Sequence, residues 1–196
     1  MNLFHSIFEK YDTDKTLTYS QAYEESFTPM RDEVKLVFEV GVNRGGSVRA
    51  WKEYFPNALI VGIDIGSHTY FEDPDNRIKI EIGNGTSKEF MENLVRKYGR
   101  PDIVIDDGSH MSSDIKATYA IMAGHTNICY VMEDLGTQFY EFVDKNTGGL
   151  GNYVNDSIPA TKLVQSEVEQ LLIKPSSISS VRVYYSIAFL FMKRGK

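Results

Sequence analysis

The chain has 196 residues, 42% of them hydrophobic and 12% aromatic, which suits one globular domain with one core and excludes a disordered chain. Its net charge is −6, its pI is near 5.3 and it has no basic run, which argues against a nucleic-acid partner. The single cysteine, Cys129, excludes an internal disulfide and fits a reducing, cytoplasmic compartment; there is no leader-like start and no apolar stretch of membrane-spanning length. Residues 1 to 33 are polar and aromatic, with a helix expected near Ser20 to Phe27. Leu36 to Val40 is the first strand, and it runs into the glycine-rich turn Gly41-Val42-Asn43-Arg44-Gly45-Gly46. Ser47 is placed as the N-cap of a helix carrying Val48, Trp51 and Phe55, which Pro56 stops. Leu59 to Ile63, ending at Asp64, is the second strand, and Ile78, Ile80 and Ile82 alternate as the third. Ser87 caps a helix with Phe90, Leu94 and Tyr98 on one face, and Gly99 closes it. A fourth strand over Ile103 to Ile105, a helix over Ser113 to Met122 and a fifth strand over Ile128 to Met132 follow. Residues 136 to 160 are too glycine-rich for regular structure and read as a long loop. A helix over Thr161 to Ile173 precedes Val181 to Tyr185 and Ile187 to Met192, which are close enough in sequence to pair antiparallel. This alternation predicts an α/β fold: a Rossmann-like, doubly wound, seven-stranded sheet, mostly parallel, with an antiparallel C-terminal strand.

Two apolar runs end abruptly in paired acids. Ile103-Val104-Ile105 leads into Asp106-Asp107-Gly108-Ser109-His110, and Tyr130-Val131-Met132 leads into Glu133-Asp134. Buried parallel strands open into the ligand crevice at their carboxyl ends, so four carboxylates and an imidazole are expected to converge there. Asp107, Glu133 and Asp134 are hard oxygen ligands of the kind Mg²⁺ or Mn²⁺ prefers, and the lack of a cysteine and histidine cluster argues against zinc. His110 lies three residues past Asp107 and titrates in the range where a general base works. Asp106 faces either the cofactor or the outside of the metal site. The plainer alternative makes these acids surface caps. Cys129 reads as a packing residue, and His5, His68 and His125 as surface residues.

At the first strand end, a nicotinamide fingerprint G-x-G-x-x-G fails at Asn43. Glu39 would repel a pyrophosphate but suits the ammonium of an amino-acid moiety. Asp64 is placed to accept from ribose hydroxyls, as an acid there does in both dinucleotide and methyltransferase folds. The plainer alternative for Gly41 and Gly45 is a tight turn, against which their joint occurrence with Asp64 at the first and second strand ends speaks.

Taken together, the Glu39-x-Gly41 turn, Asp64, the Asp106-to-His110 loop and Glu133-Asp134 resemble class I S-adenosylmethionine-dependent O-methyltransferases, above all the metal-dependent macrolide sugar O-methyltransferases of the mycinamicin and macrocin type. The similarity covers residues 9 to 193 and includes Tyr11-Asp12-Thr13-Asp14-Lys15 and the Trp51-to-Pro56 helix end. The resemblance implies that Glu39, Gly41, Asn43, Ser47, Asp64, Asn84 and Asp106 hold S-adenosylmethionine, and that Asp107, Glu133 and Asp134 hold Mg²⁺ or Mn²⁺. It makes His110, with Asp107 beside it, the base that deprotonates a sugar hydroxyl before in-line attack on the methyl group. It further implies a lid over the site, formed by residues 1–33 with Tyr19 and Tyr23 and by the loop from Thr137 to Asn152, on a methyltransferase domain of residues 34–196. The acceptor would be a small-molecule sugar or glycoside, with no nucleic acid and no membrane, and a homo-oligomer is left open. Asn84 departs from the acid that the family often has near the adenine, and Asn43 from a common glycine. Two alternatives remain. One is an NAD-dependent oxidoreductase, against which Glu39 and Asn43 speak; the other is a non-catalytic binding protein on the same fold, against which His110 and the three acids speak.

Overall fold

The structure, a computed structural model, describes residues 3–66, 73–139, 141–143, 150–152, 159–173 and 177–193. The apolar runs form the centre of a sheet because their residues are buried on both faces, as parallel strands covered by helices must be. These are β1 (Leu36–Val40), β2 (Leu59–Asp64), β4 (Ile103–Asp106) and β5 (Cys129–Met132), while β3 (Ile78–Ile82), largely half-buried, is the edge strand beside β2; all five are parallel where they pair. After a short hairpin, β6 (Glu141–Val143) with β7 (Leu150–Asn152), the sheet is completed by β8 (Ile178–Tyr184) and β9 (Ile187–Met192). The order is β3-β2-β1-β4-β5-β9-β8, and β9 runs antiparallel to both of its neighbours. The strand order reverses between β1 and β4, which is where an open sheet of this kind leaves its ligand crevice. The seven-stranded sheet with one reversed strand is as expected.

Strand alternation sorts the core into two layers. Val37, Val131, Phe189 and Phe191 point to one face, with α3 (Gly46–Tyr54); Phe38, Tyr130, Leu190 and Met192 point to the other, with α4 (Lys88–Tyr98), α5 (Ser112–Met122) and α6 (Ala160–Ile173). Ser87 caps α4 by accepting from the Phe90 amide at 3.4 Å, and Gly99, at φ 97°, ends it.

The N-terminal segment forms two helices, α1 (Leu3–Lys10) and α2 (Leu17–Phe27), of which α1 was not expected. They are built into the first core layer. The Phe4 ring stacks on Tyr54 with centroids 3.6 Å apart, and Tyr23 meets Trp51 at 4.8 Å and Phe189 at 5.2 Å.

Two local expectations are corrected. Ser47 is not the N-cap of α3: Gly45, left-handed at φ 76°, takes that place, and the Ser47 hydroxyl turns inward. The described residues of 136–160 are not a plain loop: most of a 3₁₀ turn (Leu135–Phe139) and the antiparallel pair β6 with β7 fall among them. His68, and part of the loop expected to act as a lid, lie outside the described residues. Cys129 is buried, as a packing residue should be. No helix among the described residues is long and apolar enough to cross a membrane.

Candidate active site

The carboxyl ends of β1, β2 and β4 border two adjoining cavities of about 540 and 310 Å³ that share Gly41, Asp64 and Gly108. Asn43, Ser47, Asp107 and His110 line the larger cavity, and Asn84 and Asp106 the smaller. Gly41 sits at φ 93°, and a Cβ there would lie 1.9 Å from the carbonyl oxygen of Asp107, so only glycine lets the β1 and β4 loops meet this closely. Asp64 braces the same turn. Its carboxylate accepts from the amides of Val42 at 2.9 Å, Asn43 at 3.3 Å and Gly66 at 2.8 Å. Asn84 accepts from the Thr86 amide and hydroxyl, at 2.9 and 2.8 Å, which shapes the turn after β3.

Glu39 is fully buried and does not line either cavity. Its oxygens accept from Ser47 Oγ at 2.9 Å and from the Trp51 indole at 2.7 Å, so it holds the start of α3 in place. Burial pushes its carboxyl up to about 7, although Lys15, Trp51 and Ser47 pull it down. Asp106 is also buried, accepts from Tyr130 Oη at 3.0 Å, and is likewise raised to about 7 by burial.

At the ends of β4 and β5, Asp107, His110 and Asp134 come together, with one donor atom of each within 4.8 Å of the others. His110 Nε2 lies 3.4 Å from Asp107 Oδ1 and 3.3 Å from Asp134 Oδ2. His110 and Asp134 hold left-handed backbones, at φ 61° and 53°, a conformation that costs energy for residues other than glycine and gathers at functional sites. Burial works against the imidazolium, but Asp107 and Asp134 outweigh it and raise the His110 pKa. Burial would raise Asp107 in turn, but Lys15 and His110 hold it below the ordinary carboxylate value. Tyr19 donates to Asp134 Oδ1 at 2.6 Å.

Glu133, assigned from the sequence to the metal with these two acids, stands outside this group of three. It is buried, and both its oxygens receive the Lys15 ammonium at 2.8 Å, while the Tyr23 hydroxyl donates to one of them. Lys15 also donates to Asp107 Oδ2 at 2.8 Å. Sequence reasoning gave Lys15 no role. Its only signal was its place in the Tyr11-to-Lys15 segment shared with the resembling family.

No protein-family model matches the chain. Five curated relatives do, three of them as follows. The chain is 35% identical over 132 residues to the 8-demethyl-8-alpha-L-rhamnosyl tetracenomycin-C 2'-O-methyltransferase of Streptomyces olivaceus, covering 63% of this chain and 34% of that one. It is 33% identical over 131 residues to the mycinamicin VI 2''-O-methyltransferase of Micromonospora griseorubida, covering 62% and 32%. It is 28% identical over 190 residues to the demethylmacrocin O-methyltransferase of Streptomyces fradiae, covering 88% and 48%. Among solved structures, the MycE methyltransferase from the mycinamycin biosynthetic pathway, in complex with Mg and SAH, superposes with a TM-score of 0.79 at 26% identity, over 99% of this chain and 55% of that one. The sheet and its crevice thus define a class I methyltransferase fold. The relatives of this chain are sugar O-methyltransferases of the mycinamicin, macrocin and tetracenomycin type, as the sequence resemblance implies, and the chain spans about a third to a half of their length.

Proposed function

We propose that this chain transfers a methyl group from S-adenosylmethionine to a hydroxyl of a sugar or glycoside in a divalent-metal-dependent reaction. The observation that carries the reading is the group Asp107, His110 and Asp134, set at the strand ends beside a two-lobed cleft. Gly41, Asn43, Ser47 and Asp64 would border one part of the cofactor, and Asn84 and Asp106 the other. Glu39 would act one step back, through Ser47 and α3. The donors fit a hard cation: Asp107 and Asp134 would hold Mg²⁺ or Mn²⁺ with one oxygen each, and Glu133 would stand behind Asp107 through Lys15. When bound, S-adenosylmethionine supplies an electrophilic methyl group, and the metal a Lewis acid that lowers the pKa of the acceptor hydroxyl.

His110 Nε2 takes the hydroxyl proton. The imidazolium so formed lies against Asp107 Oδ1 and Asp134 Oδ2, which stabilise it as the acceptor oxygen becomes nucleophilic. Tyr19 fixes the Asp134 carboxylate, and Lys15 fixes that of Asp107. The rhamnosyl group in the name of the tetracenomycin relative's substrate supports a glycoside acceptor. No observation favours the nicotinamide reading.

Calorimetric titration with S-adenosylhomocysteine, with and without Mg²⁺ and beside NAD, is the first test. Binding of S-adenosylhomocysteine alone is expected, and binding of NAD alone would overturn the proposal. With a glycoside acceptor in hand, His110→Ala should lower turnover about a hundredfold or more and leave S-adenosylhomocysteine affinity nearly unchanged. Excess chelator should stop turnover and added Mg²⁺ restore it; undiminished activity in chelator removes the metal from the mechanism.

A further inference from the structure

Residues 11–15 cross the larger cavity as a strap between α1 and α2. Asp12, Thr13 and Asp14 line that cavity together with Gly41 and Asp64. The strap lies directly on the first turn of α3: a Cβ on Gly46 would come within 2.8 Å of the Tyr11 carbonyl oxygen and 3.3 Å of that of Asp12. At its near end the Tyr11 hydroxyl donates to Glu53 at 2.6 Å, close to the surface. At its far end the Lys15 ammonium reaches inward to Asp107 and to both oxygens of Glu133, each at 2.8 Å. The side chains of Lys15 and Glu133 are each only 1% exposed. Glu39 from β1 and Tyr23 from α2 complete the surroundings of these acids.

A buried ammonium is strongly disfavoured unless it is paired on every side, and so are two buried carboxylates that face each other. The strap and the strand ends therefore hold each other. Asp107 divides its oxygens, with Oδ2 on Lys15 and Oδ1 left for His110. Lys15 thus determines which oxygen faces the reaction.

We infer that Lys15 is a positioning residue: its ammonium fixes the Asp107 carboxylate beside His110 and fastens the strap as a wall of the cleft. That a cofactor fills this cleft rests on the function proposed above. The test compares the full-length protein with Lys15→Met by hydrogen exchange and by titration with S-adenosylhomocysteine. In the variant the amides of residues 13–15 should exchange about ten times faster or more while those of β1 and β4 stay as protected as before, and affinity should fall about tenfold because the closed strap is less populated. Unchanged exchange in the strap overturns the inference. So does a loss of protection throughout the sheet, which would make Lys15 an ordinary stability residue. If Lys15→Met does not fold, Lys15→Met with Glu133→Gln removes both buried charges, and the same local release is expected of it. A released strap in a protein whose wild type binds no S-adenosylhomocysteine leaves the role of Lys15 standing and overturns the cofactor reading instead.

Discussion

Glu39 lies behind the candidate site rather than in the lining of its cavities, and it meets that lining through Ser47. With both oxygens occupied by Ser47 and Trp51, its carboxyl is pushed by burial from an ordinary 4.5 up to about 7. The folded state therefore binds this proton more tightly than the unfolded state does. The resulting stability is fully present below the ordinary value, falls as pH rises through the interval up to the folded value, and is then lost. Glu39→Gln removes that dependence. In urea unfolding, the stability of the variant relative to wild type should grow by about 2 kcal/mol between pH 5 and pH 8. A difference that stays flat or reverses would mean that Glu39 is charged in the folded protein. The acids and His110 were legible in the sequence because each follows an apolar run whose end is fixed by the sheet. Lys15 was not, because its partners Asp107 and Glu133 lie 92 and 118 residues away and a lysine in a polar segment reads as solvent-exposed. The inward turn of Glu39 has a signal that went unused, the indole of Trp51 twelve residues on.

Among the elements, the β1 and β4 loops are the pair on which the site depends most. Gly41→Ala would put a Cβ 1.9 Å from the Asp107 carbonyl in a backbone region that alanine avoids. We expect a loss of about 2 kcal/mol or more, read by denaturant midpoint, together with weaker S-adenosylhomocysteine binding. A variant that melts and binds like wild type would show that these loops part easily. The strands were legible because burial on both faces forces continuous apolar runs, and α4 because its cap, face and terminal glycine agree. Helix α1 was not, since it has eight residues and only Phe4, Ile7 and Phe8 are buried, too short a repeat to stand out. The β6–β7 pairing was hidden because its strands have three residues each, too short for a period of two to stand out.

On the scale of the whole molecule, residues 1–33 were expected as a helical lid segment on the domain of residues 34–196, and the described part of them shares one core layer with the sheet. Phe4, Tyr23, Trp51 and Phe189 belong to a single cluster, and Trp51 is the only tryptophan. Phe4→Ala should cost about 3–5 kcal/mol, and tryptophan fluorescence and far-ultraviolet circular dichroism should report one shared transition in both proteins. A fluorescence change that precedes the loss of secondary structure would instead separate the N-terminal helices from the sheet.

The reversed strand β9 has a consequence for how the protein is made. It lies between β5 and β8, and the turn before it supplies Ser186, whose carbonyl accepts from the Leu135 amide at 2.9 Å and whose hydroxyl accepts from the Gly136 amide at 2.7 Å, next to Asp134. A chain growing on the ribosome therefore has every acid of the site, and His110, well before it has the strand that covers the open edge of β5. Until residues 186–192 emerge, Phe4, Tyr23 and Trp51 lack Phe189, and the loop carrying Asp134 lacks its Ser186 anchor. Translation thus supplies the acids and His110 before the strand that braces them, and a nascent chain stalled before β9 has those side chains without the anchor of the Asp134 loop.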